Sequence, residues 1–248
     1  PELPNAITLL SARWHDQPIV AWLHHWENVV FSIVVALVLS MVAWRFARRP
    51  TMIPRGGQNL LEFLVESIDQ FVQRVMGRAG RQHTPFIGTL FLYIWCANLS
   101  GLIPGMKSST ANINMPLALA GVVLCYVQAV RLQTLGLWRY LDHMAGSPRV
   151  TNLWLLPILV PVHLLLFLLE LFGEIIKPAS LCARLTCNIF AEDALLAAFV
   201  GLGISAGLLL HLPIGLPIQV FVFPLVLIFS TVQALVFSLL SSVYIALM

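Results

Sequence analysis

The ionisable side chains that could do chemistry are concentrated in residues 170–193, which apolar runs at 153–169 and 194–210 flank on both sides. Charged groups inside such a region are energetically expensive and usually functional. Arg184 is the clearest case, because a guanidinium cannot lose its proton and keeps its charge wherever it lies. We therefore expect a negatively charged group to meet Arg184 at membrane depth. The polar and ionisable residues of interest are Glu170, Glu174, Lys177, Arg184, Asn188, Glu192, Asp193 and, near the C-terminus, Gln233.

A helix through this stretch, at 100° per residue, predicts how these side chains are arranged around Arg184. Asp193 lies about 180° round the helix from Arg184 and about 13 Å along it, whereas Glu170 shares the face of Arg184 at about 21 Å. This geometry favours two separate polar paths that approach Arg184 from opposite directions and do not join. Lys177, Glu170 and Asn188 lie within about 40° of Arg184, and Glu174 and Glu192 lie about 80° away.

Purely structural interpretations exist for the same residues. Glu174 and Lys177 have the i,i+3 spacing of a helical ion pair, which could form a buried cluster with Glu170. Arg184 could pair with Glu170 or Glu192 for structure alone. Other polar residues in the apolar regions have similar alternatives: Asn188 and Gln233 could hydrogen-bond between helices, and His163 and His211 are more typical of interfacial or satisfied histidines.

The composition is that of a polytopic membrane protein. Of the 248 residues, 59% are hydrophobic and 10% are charged, with a mean hydropathy of +0.88, whereas soluble domains carry about 25% charged residues. Seven of the 14 Lys and Arg residues fall between Arg45 and Arg81, and none follows Arg184. That distribution excludes a basic nucleic-acid-binding face. The four cysteines show no CxxC or Cys/His spacing, so we expect no disulfide framework, metal site or cofactor.

The order of apolar and polar stretches predicts an all-α fold with about five membrane-embedded helical segments and one amphipathic surface helix. The basic residues at 45–55 predict a cytoplasmic loop and therefore an N-terminus on the outer side. The run 154–210 would be about 85 Å long as one helix, so it either breaks in two, for example at Pro178, or lies strongly tilted. The predicted parts are an outer N-terminal segment at 1–27 and one membrane domain at 28–248, with a first span at 28–46, the amphipathic helix at 57–80, a helical hairpin at 85–135, a loop at 136–152 and a tilted hairpin at 153–248.

Several motifs, in order along the chain, resemble subunit a of the F-type ATP synthase. The most specific begins at Lys177-Pro-x-Ser180 and continues through Arg184-Leu-x-x-Asn188 to Asp193. Thr231-Val-Gln233 with Val243-Tyr244-Ile245 is similar to the last helix of that family. The resemblance extends from about residue 28 and includes Pro54 to Glu66, Gly101-Leu-Ile-Pro104 and Thr110-Ala-Asn112-Ile-Asn114.

This resemblance implies a proton-conducting stator subunit of the Fo motor, which is non-catalytic by itself and whose last two helices lie along the c-subunit ring. It implies that Arg184 is the essential arginine facing the ring, with Asn188 and Gln233 near it. Asp193 then belongs to the half-channel open to the outer side, and Glu170 to the other half-channel. Glu192, Glu174 and Lys177 are further candidates for proton translocation. The implied partners are the c-ring, the peripheral-stalk b subunits, the lipid bilayer and protons, with no nucleic acid. The implied location is a bacterial inner membrane rather than a mitochondrial one, with the C-terminus on the cytoplasmic side. The chain contains no GxxxxGK[ST] nucleotide motif.

The sequence departs from the family pattern at three places near Arg184. Thr186-Cys187 stands where bacterial members usually have Phe-Gly, and Asp193 replaces the more common Glu. The last-helix position that often holds a titratable partner of Asp193 is Val226, so Glu192 or ordered water could relay protons instead.

Three alternatives remain at this point: a sodium-coupled form of the same subunit, a secondary transporter that binds an anionic substrate at Arg184, and a structural membrane anchor. The transporter predicts a repeat symmetry that we do not find, and the anchor does not account for Arg184.

Overall fold

The computed structural model describes residues 26–48, 56–103, 113–144, 156–209 and 218–246. The predicted outer segment 1–27 falls almost wholly outside these ranges, as do most of the motif at 110–114 and the position of His211. Six α-helices and two 3-10 helices make up the described part, and it contains no β-strand. The α-helices are α1 (Glu27–Ala47), α2 (Gly57–Met76), α3 (Thr84–Ser100), α4 (Asn114–Met144), α5 (Leu156–Leu209) and α6 (Phe223–Ala246), with 3-10 helices at Arg78–His83 and Ile218–Phe221.

Four of the described helical segments are long and apolar enough to cross a membrane: Glu27–Phe46, Asn114–Thr134, Pro161–Leu208 and Phe223–Ala246. α3 is also apolar but has only 17 residues. Many large apolar side chains on these helices are exposed, such as Leu37, Met41 and Leu208. Such a surface is suited to lipid, where exposed apolar side chains carry no penalty. The predicted all-α, polytopic fold class is confirmed.

α2 is the amphipathic helix, and it packs against the bundle rather than crossing it. Its partly buried side carries Ile68 and Phe71, which contact the core, whereas Glu62 and Glu66 are exposed. Asp69 ties the helix to the start of α3 by accepting a 2.7 Å hydrogen bond from the Thr84 hydroxyl. A charged, accessible outer face next to an apolar inner face is expected of a helix lying at a membrane surface.

α4 continues further than the sequence analysis predicted. Residues 137–144 were placed in a loop, but they are helical. The non-helical residue inside this element is Gly136, with φ 71° and ψ 159°. Because a glycine has no Cβ, it adopts this conformation without steric cost and allows a second helical segment to follow a kink. The prediction of a loop beginning at residue 136 was therefore wrong.

α5 is continuous through Pro161 and Pro178. The possible break at Pro178 does not occur. With 54 residues, the helix is about 81 Å long, against a hydrocarbon core of about 30 Å. A helix of this length stays within the membrane only if it is strongly inclined. Its packed side meets the central core, which is formed by Ile87, Leu90 and Ile94 of α3, Ala120, Val123 and Val127 of α4, Leu181, Leu185 and Ile189 of α5, and Ala234 and Phe237 of α6.

Candidate functional site

The packed face of α5 carries two carboxylates with apolar side chains between them. Glu174 and Glu192 are 5% and 7% exposed. They are 18 residues apart, which is five helical turns, so they lie on the same side of the helix at about 27 Å from each other. Leu181, Leu185 and Ile189 fill the interval and are at most 1% exposed. The two carboxylates therefore belong to separate polar clusters.

Arg184 lies between these clusters along the helix axis, but on the adjacent, exposed side of α5. It forms no hydrogen bond or ion pair with any residue that the structure describes. The alternative in which Arg184 pairs with Glu170 or Glu192 is therefore not realised within those residues. The Arg184 charge does act electrostatically on the Tyr244 phenol of α6.

The side of α5 around Arg184 is lined by small residues. Next to it, Ser180, Ala183 and Cys187 are all exposed, and Ala191 and Ala194 continue the series. Larger apolar side chains lie further along the helix, where Ile176 and Phe190 are 61% and 75% exposed. Small side chains allow another helix to approach closely. The guanidinium thus lies among small exposed side chains on an otherwise apolar part of the helix surface.

The first cluster surrounds Glu174 with three donors from two helices. Arg131 Nη1 of α4 donates to Glu174 Oε1 at 2.7 Å, and Gln128 Nε2 donates to Oε2 at 2.7 Å. Lys177 Nζ is 3.2 Å from Oε1, so the i,i+3 pair considered from the sequence is present. Arg131 Nη2 also lies 3.7 Å from Glu170 Oε1.

Neither Arg131 nor Gln128 is among the residues that the sequence predicted for the site. A signal was present in the spacing. Ala120, Val123 and Val127 form the buried stripe of α4, and Arg131 follows on the same stripe, four residues after Val127. An arginine on the apolar side of a helix needs an acidic partner on the neighbouring helix.

The second cluster surrounds Glu192 with neutral donors. Asn188 Nδ2 donates to Glu192 Oε1 at 2.8 Å, and the Ser230 hydroxyl of α6 donates to Oε2 at 3.2 Å. Asp193, the next residue, is exposed and acts electrostatically on Glu192. Val226, the expected position of a titratable partner, is 2% exposed. Ser230, one turn beyond Val226 on the same side of α6, supplies the polar contact instead.

The remaining predicted polar residues do not join either cluster by a direct bond. Gln233 is 6% exposed, and its amide nitrogen has no hydrogen-bond partner among the described residues. His163 is half-buried, and its two ring nitrogens likewise lack a partner within the described ranges. The interhelical hydrogen bond considered for Asn188 is instead a bond along its own helix, to Glu192.

The fold and the site together define a class: a multi-pass helical membrane protein with ionisable groups held on either side of an exposed arginine. Ionisable residues inside membrane helices mark ion pathways in such proteins. The comparisons with known proteins narrow this class. The family described as "ATP synthase A chain" matches residues 29–246.

Similar curated proteins carry the same description. The chain is 40% identical to "ATP synthase subunit a" of Protochlamydia amoebophila (strain UWE25) over 247 residues, which cover 100% of this chain and 89% of that protein. It is 36% identical to the subunit a of Trichlorobacter lovleyi, covering 86% and 81% of the two chains. It is 30% identical to the subunit a of Sulfurihydrogenibium sp. (strain YO3AOP1), covering 89% and 95%. The chain belongs to the ATP synthase A chain family, a non-catalytic, multi-pass membrane component of the Fo sector.

This membership confirms the resemblance drawn from the motifs around Arg184 and in the last helix. It connects the chain with proton transport and ATP synthesis. It also favours the synthase subunit over the secondary transporter and the structural anchor.

Proposed function

We propose that this chain is the proton-conducting stator subunit of the Fo motor, in which two offset half-channels end on either side of Arg184. The observation that carries the proposal is the arrangement on α5. Two polar clusters, around Glu174 and Glu192, lie about 27 Å apart on one continuous helix, and buried Leu181, Leu185 and Ile189 separate them. Such an arrangement gives protons two entrances and no direct passage between them.

The partner that fits the Arg184 side of α5 is the ring of c subunits. An exposed cation on an otherwise apolar helix surface requires an anionic group from outside the described chain. The small residues beside Arg184 let a neighbouring helix come close enough to bring a carboxylate to the guanidinium. We further assign the peripheral-stalk b subunits as partners, on the basis of the family alone.

The proposed mechanism depends on the charge of a ring carboxylate. In lipid this group must be protonated, because a low dielectric disfavours its charged form. Beside Arg184 the opposite charge favours the ionised form, so the proton leaves into the adjacent half-channel. Arg184 thereby discharges each arriving carboxylate and blocks direct leakage. Passage through the full potential provides about 2.3 kcal/mol per proton per 100 mV, which becomes rotation.

The residues of the two half-channels are assigned by cluster. Asp193 and Glu192, with Asn188, belong to the half-channel open to the outer side. Their positions are supported by the accessibility of Asp193 and by its direct sequence neighbour Glu192, which is hydrogen-bonded inside the bundle. Glu170, Glu174 and Lys177 belong to the cytoplasmic half-channel, and Gln233 lies near the point where the paths approach Arg184.

The proposed topology places the N-terminus on the outer side and the C-terminus in the cytoplasm, with residues 28–248 as one membrane domain. The basic residues at the end of α1, Arg45 in its last turn and Arg48 at its C-cap, support a cytoplasmic loop there. The bacterial sources of the similar proteins support a bacterial inner membrane.

The test of this function is proton pumping by the intact synthase in vesicles, with Arg184→Ala as the variant. Because no other described group supplies a free cation beside the ring, we expect ATP-driven pumping to be abolished while ATP hydrolysis continues. Arg74→Gln removes an exposed arginine on α2 and serves as the matched control. Near-normal pumping by Arg184→Ala would defeat the assignment. Pumping that depends on Na⁺ concentration instead of the proton gradient would support the sodium-coupled form.

The ring-facing side of α5 is tested by disulfide formation from a native thiol. Cys187 is exposed and lies less than one turn beyond Arg184. We expect Cys187 to cross-link to a cysteine introduced next to the ring carboxylate of a c subunit. Cys125 on α4 is also exposed and provides the control. Equal cross-linking of both thiols, or cross-linking of Cys125 alone, would place the ring elsewhere.

A further inference from the structure

The charged cluster around Glu174 contains two cationic side chains, Arg131 and Lys177, and both contact the same buried carboxylate. Arg131 is 5% exposed and lies near the end of the apolar segment of α4, Asn114–Thr134. Its fork-shaped guanidinium reaches two acidic residues of α5: Glu174 at 2.7 Å and Glu170 at 3.7 Å. A guanidinium has five N–H donors in a fixed geometry and can bridge two carboxylates in this way.

Glu174 and Glu170 differ in how they are held. Glu174 accepts hydrogen bonds from Arg131, Gln128 and Lys177, and its side chain is only 7% exposed. The Gln128 amide is itself fixed, because its oxygen accepts a 2.8 Å hydrogen bond from the Tyr140 hydroxyl. All the donors to Glu174 are therefore arranged for an ionised carboxylate.

Among the described residues, Glu170 has one long contact, with Arg131, and its side chain is 37% exposed. Its protonation would break no short hydrogen bond to another described residue. The two carboxylates are thus unequal: one is a fully bonded anion inside the bundle, and the other is an accessible group at the edge of the same cluster.

We propose that Arg131 is a positioning residue for proton exchange at Glu170. It holds Glu174 as a fixed anion and places its remaining charge beside Glu170, which exchanges the protons with water. This inference rests on the proposed function, because it gives separate roles to two residues of the same half-channel. The charged and titratable groups that face this site are Arg131 and Tyr140 of α4, Glu170, Glu174 and Lys177 of α5, and Tyr244 of α6, whose ring centroid is 5.8 Å from Lys177 Nζ.

The test is the pH dependence of proton flux through the intact synthase in vesicles. Among the described residues, Arg131→Gln leaves Lys177 as the one cation near the two carboxylates, and repulsion between like charges makes a carboxylate retain its proton to higher pH. We expect the pH of half-maximal flux to rise by about one unit. Arg131→Lys keeps the positive charge, so it should show a pH dependence close to that of the original protein.

Two further variants test the same roles of Arg131 and Glu170 if Arg131→Gln does not assemble. The double variant Arg131→Gln/Glu174→Gln loses one charge of each sign, so it should assemble and return to nearly the original pH dependence. Glu170→Gln should remove this pH-dependent step. An unchanged pH dependence in assembled Arg131→Gln, or in Glu170→Gln, would overturn the inference. If Arg184→Ala conducted protons normally, the proposed function itself would fail, which is a different outcome.

Discussion

The two carboxylates on the packed face of α5 have chemically different partners. Glu174 is bound by Arg131 and Lys177, which are cations that can only donate hydrogen bonds. Its third donor is the Gln128 amide, whose oxygen is already occupied by the Tyr140 hydroxyl. Glu192 is bound by Asn188 and Ser230, which are neutral. A hydroxyl can rotate to accept as well as donate, and an amide has both functions. The partners of Glu174 suit only an ionised carboxylate, whereas those of Glu192 can serve either protonation state.

This difference teaches that burial alone does not identify a proton carrier. Both side chains are similarly inaccessible, at 5% and 7% exposure, and both lie on the same side of one helix. The charge and donor capacity of the neighbours divide them into a fixed anion and a group that can gain or lose a proton. On that basis, we expect Glu174 itself to stabilise the contact between α4 and α5, and Glu192 to be suited to proton transfer.

The largest effect that we expect from this comparison is a loss of stability in the variant Glu174→Gln. The substitution leaves Arg131 buried beside a neutral amide, and removal of one partner from a buried ion pair is strongly destabilising. We expect a loss on the order of 3 kcal/mol in the stability of the α4–α5 contact. Thermal denaturation of the purified complex, followed by release of this subunit, measures the change.

The matched control for this prediction is Arg131→Gln/Glu174→Gln. Replacing both members of a buried pair by neutral groups is often close to neutral for stability, so the double variant should recover most of the loss. If the single and double variants were equally unstable, Glu174 would stabilise the α4–α5 contact through packing, and the distinction between the two clusters by charge would be wrong.

Much of the fold could be predicted from the sequence, because membrane helices are encoded locally. An apolar run followed by Arg45 and Arg48 predicts α1, and the stripe around Ile68 and Phe71 predicts α2. The continuity of α5 could not be predicted in the same way. Proline is usually costly inside a helix, but Pro178 is tolerated, since neighbouring groups in a membrane bundle can compensate for the lost hydrogen bond.

The same holds for the candidate site: the arrangement along one helix could be predicted, whereas the contacts between helices could not. Helical geometry alone predicts that Glu174 and Glu192 lie on one side of α5 and away from Arg184, and their burial agrees with this. The partners from other helices, Arg131 and Ser230, could not be predicted because they depend on how α4 and α6 pack against α5. Only the position of Arg131 on the buried stripe of α4 indicated that such a partner exists.

A smaller effect, on function rather than stability, is expected for Glu192→Gln. The amide has nearly the same shape and can keep hydrogen bonds to Asn188 and Ser230, but it cannot carry a proton. Loss of a proton-transferring group typically costs a factor of about 100 in rate. We therefore expect passive proton flux through Fo to fall by about that factor, while the complex assembles and melts like the original protein.

A graded control comes from Ser230→Ala, which removes only one neutral hydrogen bond to Glu192 at 3.2 Å. A single such bond contributes about 1 kcal/mol, so flux should fall by about fivefold rather than 100-fold. The two variants together separate proton transfer from orientation of the carboxylate. If Glu192→Gln instead left the flux unchanged and lowered the melting temperature as much as Glu174→Gln, both carboxylates would be structural, and the proton path on the outer side would have to run through Asp193 alone.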